Sequence, residues 1–176
     1  MFNINELRAN LSLDGARPSQ FIVEIQNPFN SSATLKTPFL VEATSIPGRN
    51  LGRASAFYFG REIKFGGDST YDDWGVQIIN DEDFILRNAM EEWASSINSP
   101  EGNIRREPGL TYKSSAIVSQ LSKTGDIIRR YRFQGIFPVN ISDIALAWSA
   151  QNQIERFSVT FSVDEWIPLD GVGGPI

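Results

Sequence analysis

Apolar and polar positions alternate most cleanly late in the chain, where Phe157, Val159, Phe161 and Val163 are separated by Ser158, Thr160, Ser162 and Asp164. A period of two puts one set in a core and the other in water, as in a half-buried antiparallel strand. Trp74, Val76 and Ile78 repeat the pattern around Gly75 and Gln77, and Phe21, Val23 and Ile25 repeat it around Ile22 and Glu24. Residues 27–32, rich in Asn, Pro and Ser, predict a turn. Residues 35–44 predict a strand with Phe39, Val41 and Ala43 on one side. Residues 114–121 and 127–133 predict a hairpin about the Lys123-Thr124-Gly125-Asp126 turn, closed by Ile136-Phe137-Pro138. A short strand is expected at 144–148.

The period changes to that of a helix once. Between 84 and 97, Leu86, Ala89, Met90, Trp93 and Ile97 fall on one face, and Arg87, Asn88, Glu91, Glu92 and Ser95 on the other. Asp81, Glu82 and Asp83 stand where carboxylates would accept free first-turn N–H groups and offset the helix dipole. No other stretch repeats this pattern at comparable length. The expected fold is therefore mostly β, an antiparallel β-sandwich or partly open barrel with one packed α-helix near 82–97. Residues 1–16 read as an N-terminal arm, 17–168 as the β domain and Gly-rich 169–176 as a flexible tail.

Residues 45–60 differ in character. Pro47-Gly48 and Gly52 punctuate them, Arg49 and Arg53 charge them, and Phe57, Tyr58 and Phe59 follow with little polar relief. Such a stretch either folds back on its own domain as a hairpin tip or is an interaction arm covered by a partner.

Composition narrows the chemistry. The chain has 176 residues, of which 41% are hydrophobic and 21% charged, which fits one globular domain with a real core. No apolar run approaches a membrane span and no secretory leader opens the chain, so no membrane anchor is expected and folding in the cytoplasm is. Cysteine and histidine are both absent, which excludes disulfides, thiolate nucleophiles, Ser-His-Asp triads and most transition-metal sites. A formal net charge of −5 argues against general affinity for nucleic acid, though not against a surface past which it slides. Asp72-Asp73 and Asp164-Glu165 are neighbours on extended backbone, so each pair points to opposite faces and cannot share one substrate or metal. Arg129-Arg130-Tyr131-Arg132-Phe133 splits its cations in the same way. Gly171-Val172-Gly173-Gly174 is a fragment of a dinucleotide fingerprint with no helix after it. No catalytic residue, cofactor or metal is expected.

An ordered set of motifs runs through most of the chain. Gly67-Asp68-x-Thr70-Tyr71-Asp72-Asp73-Trp74-x-Val76 leads into Asn80-Asp81-Glu82. Tyr112-Lys113-Ser114-Ser115-Ala116-Ile117-Val118 follows, then Gly135-Ile136-Phe137-Pro138, then Asn152-x-Ile154-x-x-Phe157-x-Val159. With Ala16-Arg17-Pro18 ahead of Phe21, the set resembles the tail-tube proteins of contractile-tailed bacteriophages, relatives of the tubes of type six secretion and contractile bacteriocins. The stretch from Arg49 to Phe59 matches in character only, and nothing after Trp166 has a counterpart.

The resemblance implies a structural virion protein, made and assembled in the host cytoplasm and located in the tail. Hexameric rings would join their strands into one barrel and stack into a tube that crosses the cell envelope and conducts DNA. Its partners would be further copies of itself, the tail sheath, the baseplate tube initiator and the tail terminator, with tape-measure protein and DNA in the lumen without specific binding. On this reading Arg49, Arg53, Phe57, Tyr58 and Phe59 form an inter-subunit arm. Ser158, Thr160, Ser162 and Asp164 line the lumen, and Glu91 and Glu92 face sheath. Two alternatives stand beside it. One is a baseplate-end tube initiator of the same family. The other is a stand-alone β-sandwich that binds carbohydrate through Trp74, Trp93, Trp148 or Trp166.

Overall fold

The computed structural model describes residues 4–11, 15–105 and 109–169. Nine strands and three helices occur among them. Strands β1 (Phe21–Ile25), β2 (Val41–Thr44), β5 (Trp74–Ile79), β6 (Ser114–Leu121), β7 (Ile127–Ile141), β8 (Arg156–Ser162) and β9 (Glu165–Leu169) build the body, and β3 (Arg49–Tyr58) and β4 (Arg61–Tyr71) form a separate hairpin. Helices α1 (Ile4–Asn10), α2 (Ser31–Leu40) and α3 (Ile85–Ile97) complete it.

Every strand pairing is antiparallel, in the order β1-β6-β7-β8-β5-β2, with β9 also on β7. The 15-residue β7 serves two sheets. Its first half pairs with β6 and β9, and its second half with β8. Gly135 makes the bend, at φ 66° and against the Asp164 side chain, where a Cβ would sit 2.1 Å from a carboxylate oxygen. The two sheets face each other through Val23, Ile25, Val118 and Phe133 on one side and Trp74, Val76, Val159 and Phe161 on the other. The alternation predicted for β5 and β8 holds along both strands, and Val163 continues it beyond β8. Helix α3 closes the core with Leu86, Ala89, Met90 and Trp93, and Trp93 Nε1 donates to the Tyr112 carbonyl at 2.7 Å.

The prediction of a mostly β antiparallel body is met, but several elements differ. The expected strand at 35–44 is helix α2 up to Leu40 and strand only from Val41. Asn30 caps the helix by accepting from Ala33 N–H, and Thr37 buries its hydroxyl on the Ala33 carbonyl. Leu35 and Phe39 point outward, so α2 has no apolar stripe by which its period could be read. The three acids precede α3 rather than occupying its first turn. Phe84 starts the helix from a left-handed conformation without a side-chain cap, and Asp83 accepts from Ile85 N–H. Gly66 and Gly67 lie within β4 at an irregularity opposite Gly52. Residues 144–148 form no strand. Residues 165–169 form β9 along β7, so Leu169, expected to begin the flexible tail, is instead a buried strand residue opposite Arg130. The rest of the expected tail, 170–176, lies outside the described residues, as do 1–3 and 12–14 of the expected arm.

Candidate assembly surfaces

The β3–β4 hairpin leaves the body as a ribbon, at about 3.3 Å per residue roughly 30 Å long. All ten residues of β3 are exposed. A two-residue turn closes it, Phe59 at φ 47° and Gly60 at φ 78°, both left-handed as the twist of a tight hairpin requires. The root is fixed: Asp72 N–H donates to the Gly48 carbonyl at 3.2 Å and Asn50 Nδ2 to Asp72 Oδ1 at 2.8 Å. The Tyr71 ring meets Trp166 edge-on at 6.0 Å. Of the five residues assigned to the arm, Arg49 is engaged within it, donating to Ser69 Oγ and lying over Tyr71. Phe57, Tyr58 and Phe59 cluster at the tip, Tyr58 edge-on to Phe59, and Phe59 is 90% exposed.

The outer faces of the two sheets differ in charge. Ser158 lies opposite Gln77, and Thr160 lies between Gly75 and Asn140, so the middle of the β8 row is polar and uncharged, while Arg156 at its start is paired with Glu42. Ser162 joins it opposite Phe137. Asp164 does not, because it sits in the bend between β8 and β9 and is ion-paired with Lys113 at 2.5 Å. On the other sheet the outer face carries Glu24, Arg130 and Arg132. Glu91 and Glu92 are exposed on α3, Glu91 accepting from Arg87 Nε at 2.6 Å, one turn earlier. The same arginine donates to the Ser142 carbonyl at 2.7 Å.

Trp74 and Trp93 are fully buried, which removes them as carbohydrate platforms; Trp148 is fully exposed and Trp166 half-buried. Three features had no clear signal in the sequence. The connection 143–155 leaves Leu146, Trp148 and Ile154 exposed, and α2 exposes Leu35 and Phe39. Asn27, read only as a turn residue, is buried; its Oδ1 accepts from Phe29 and Asn30 N–H, and its Nδ2 donates to the Ala89 carbonyl at 3.2 Å, tying β1 to α3. Three ion pairs, centred on Lys36 and Arg156, lie about β2. Lys36 bridges Asp81 and Asp83, and its hydrogen bond holds the Asp83 carboxyl below its ordinary value. Arg156 does the same to Glu42. Among the described residues no group of acids could hold a metal, and no helix is long and apolar enough to cross a membrane.

Residues 16–168 match the family model described as phage tail tube protein. The chain is 33% identical over 168 residues to tail tube protein gp19 of Enterobacteria phage T4, covering 94% of this chain and 99% of that protein. It is 28% identical over 163 residues to the tail tube protein of Serratia phage KSP90, covering 90% and 92%. In fold it is similar to a chain of the anti-feeding prophage baseplate, with TM-score 0.66, 12% identity and coverage of 89% and 96%. It is likewise similar to a chain of the PVC extracellular contractile injection system in its extended sheath–tube complex, with TM-score 0.59, 14% identity and coverage of 97% and 99%.

Proposed function

The chain belongs to the phage tail tube protein family, and from that premise we propose that it assembles as stacked hexameric rings into the inner tube of a contractile tail. The family is structural, and its members are components of the virion tail. The observation that carries the proposal is the β3–β4 hairpin, a long exposed ribbon whose aromatic tip has no cover among the described residues. A soluble monomer gains nothing from such a ribbon, and a polymer gains an inter-subunit contact. The sheet path supports the same reading. It ends in two short open edges, β1 and β2, whose unpaired backbone groups a neighbouring copy would satisfy within a ring.

The lumen is assigned to the β8 face through Ser158, Thr160 and Ser162. A channel that conducts DNA needs a wet wall free of cations, since each Lys or Arg would tether phosphate. On this face the cation of β8, Arg156, is paired with Glu42, whereas the other face carries Arg130 and Arg132. Asp164, paired with Lys113, contributes less free negative charge than an isolated carboxylate. Sheath contact is assigned to Glu91 and Glu92, on the exposed side of α3. The similar PVC chain comes from a complex named for sheath and tube together. Passage of the tube through an envelope is then passive, driven by the sheath. Negative-stain electron microscopy of the purified protein tests the proposal. Stacked rings or tubes are the expected outcome, and a protein that stays monomeric at every concentration overturns it.

A further inference from the structure

Strand β5 runs from one end of its sheet to the other, and the two ends carry different things. At Trp74, its first residue, the arm returns to the body through Tyr71 and Asp72. At Ile79, its last, Arg156 is the paired residue, and Asn80 N–H donates to the Glu155 carbonyl at 2.9 Å. The 143–155 connection therefore sits at the opposite end of the sheet from the arm. Six residues of strand separate them, about 20 Å at roughly 3.3 Å per residue.

That connection borders an open recess of about 340 Å³, with apolar walls from Leu146, Ala150 and Ile154 and polar ones from Gln153, Glu155 and Arg156. Beside it stands Trp148, with its whole side chain in solvent. The arm is shaped to enter. Phe59 holds a left-handed backbone conformation that asparagine or glycine fills with less strain, so an aromatic there serves something other than the turn.

Charge favours the same match. The arm, residues 49–71, carries Arg49, Arg53, Arg61 and Lys64 against Glu62 and Asp68 only. The far end carries six acids, Glu42, Asp81, Glu82, Asp83, Asp143 and Glu155, against Lys36, Arg87 and Arg156. A cationic arm at one end and a net acidic surface around the recess at the other make a head-to-tail contact that repeats along an axis.

We propose that the 143–155 connection is the socket for the arm tip of a second copy of this chain, Phe59 entering the recess beside Trp148. The proposal rests on the tube reading and adds the receiving surface to it.

The test uses the absence of native cysteine. Tyr58→Cys protein, which keeps the Phe59 ring, is mixed under reducing conditions with Ala150→Cys protein carrying a mass tag, assembled and then oxidised. Docking raises the local thiol concentration, so a disulfide between the two species is expected at roughly tenfold the yield of a Tyr58→Cys and Glu92→Cys control. A second variant, Phe59→Asn, leaves the turn at least as favourable and removes the ring. It is expected to give folded protein whose tubes are several-fold shorter and dissolve at lower salt than wild type. Tubes that form normally with the bond at control yield, or Phe59→Asn tubes of wild-type length, overturn the socket and leave the tube reading intact. Wild-type protein that forms neither rings nor tubes overturns the tube reading, and the socket with it.

Discussion

The ring of Trp74 stacks on that of Phe133 with centroids 4.6 Å apart and planes 9° from parallel. Trp74 belongs to β5 and Phe133 to the first half of β7, so this contact joins the two sheets. Thr44 holds the tryptophan in place, its hydroxyl accepting from Nε1 at 2.8 Å. Phe133→Ala should therefore destabilise the fold by about 3–5 kcal/mol, from lost transfer energy and the cavity left behind. Urea unfolding of the monomer measures it. A double-mutant cycle with Trp74→Leu should return a coupling of about 0.5–1.5 kcal/mol. A coupling of zero would mean that the stack adds nothing beyond burial.

The arm should be separable from the body. Removing residues 51–69 and joining the ends with a short Gly-Ser link keeps Tyr71 against Trp166 and Asp72 on Gly48. The expected product is a folded monomer, with a midpoint of unfolding close to wild type, that no longer stacks. Cutting only 47–59 would instead leave β4 without its partner strand. Circular dichroism with electron microscopy reads both results, and unfolding of the 51–69 deletion would place the arm in the core.

Acid should loosen the β2 side of the molecule. Hydrogen bonds from Lys36 and Arg156 depress the carboxyls of Asp83 and Glu42, whose ordinary values are 3.8 and 4.5. A group depressed on folding contributes stability that is complete above its unfolded pKa and is lost as pH falls through the folded one. Thermal stability from these pairs should thus hold from neutral pH down to about 5 and decline below about 4. Asp83→Asn with Glu42→Gln should flatten that part of the acid slope while changing little at its foot. Melting curves between those limits decide it, and an unchanged slope would assign acid lability to other carboxylates.

Reversing Glu91 and Glu92 together to Lys should weaken co-sedimentation with sheath at physiological salt while tubes still form. Glu91 is the exposed partner of the Arg87–Glu91 pair, such an i,i+4 pair is worth about 0.5 kcal/mol, and Arg87 keeps its bond to the Ser142 carbonyl, so the fold should survive the pair's loss. Undiminished sheath binding would leave this face of α3 merely solvated.

Thr160→Cys should react with a small maleimide in monomer and tube alike, but be shielded from a bulky one within long tubes. Thr160 lies mid-row on the outer side of β8, between Gly75 and Asn140. Equal reactivity of assembled tubes toward both reagents would put this face outside.

The sequence by itself determined the elements whose side chains divide cleanly between core and water. Phe157, Val159 and Phe161 could lie only on the inner face of a strand, and Leu86, Ala89, Met90 and Trp93 only on one face of a helix, because a local period records which side is buried. The same reading placed Phe57, Tyr58 and Phe59 beside Gly and Pro breaks as either a tip folded back or an arm. Only the tertiary structure decided what depends on distant partners. Helix α2 buries Ala33 and Thr37 while exposing Leu35 and Phe39, so its local pattern misstates its conformation. Strand β9 exists because the first half of β7 has a free edge beside it. Asp164 follows Ser162 by two, as a strand would have it, yet leaves the row to pair with Lys113. That the arm and the 143–155 connection occupy opposite ends of one sheet follows from the register of β5 with β8, a long-range pairing that no local period encodes.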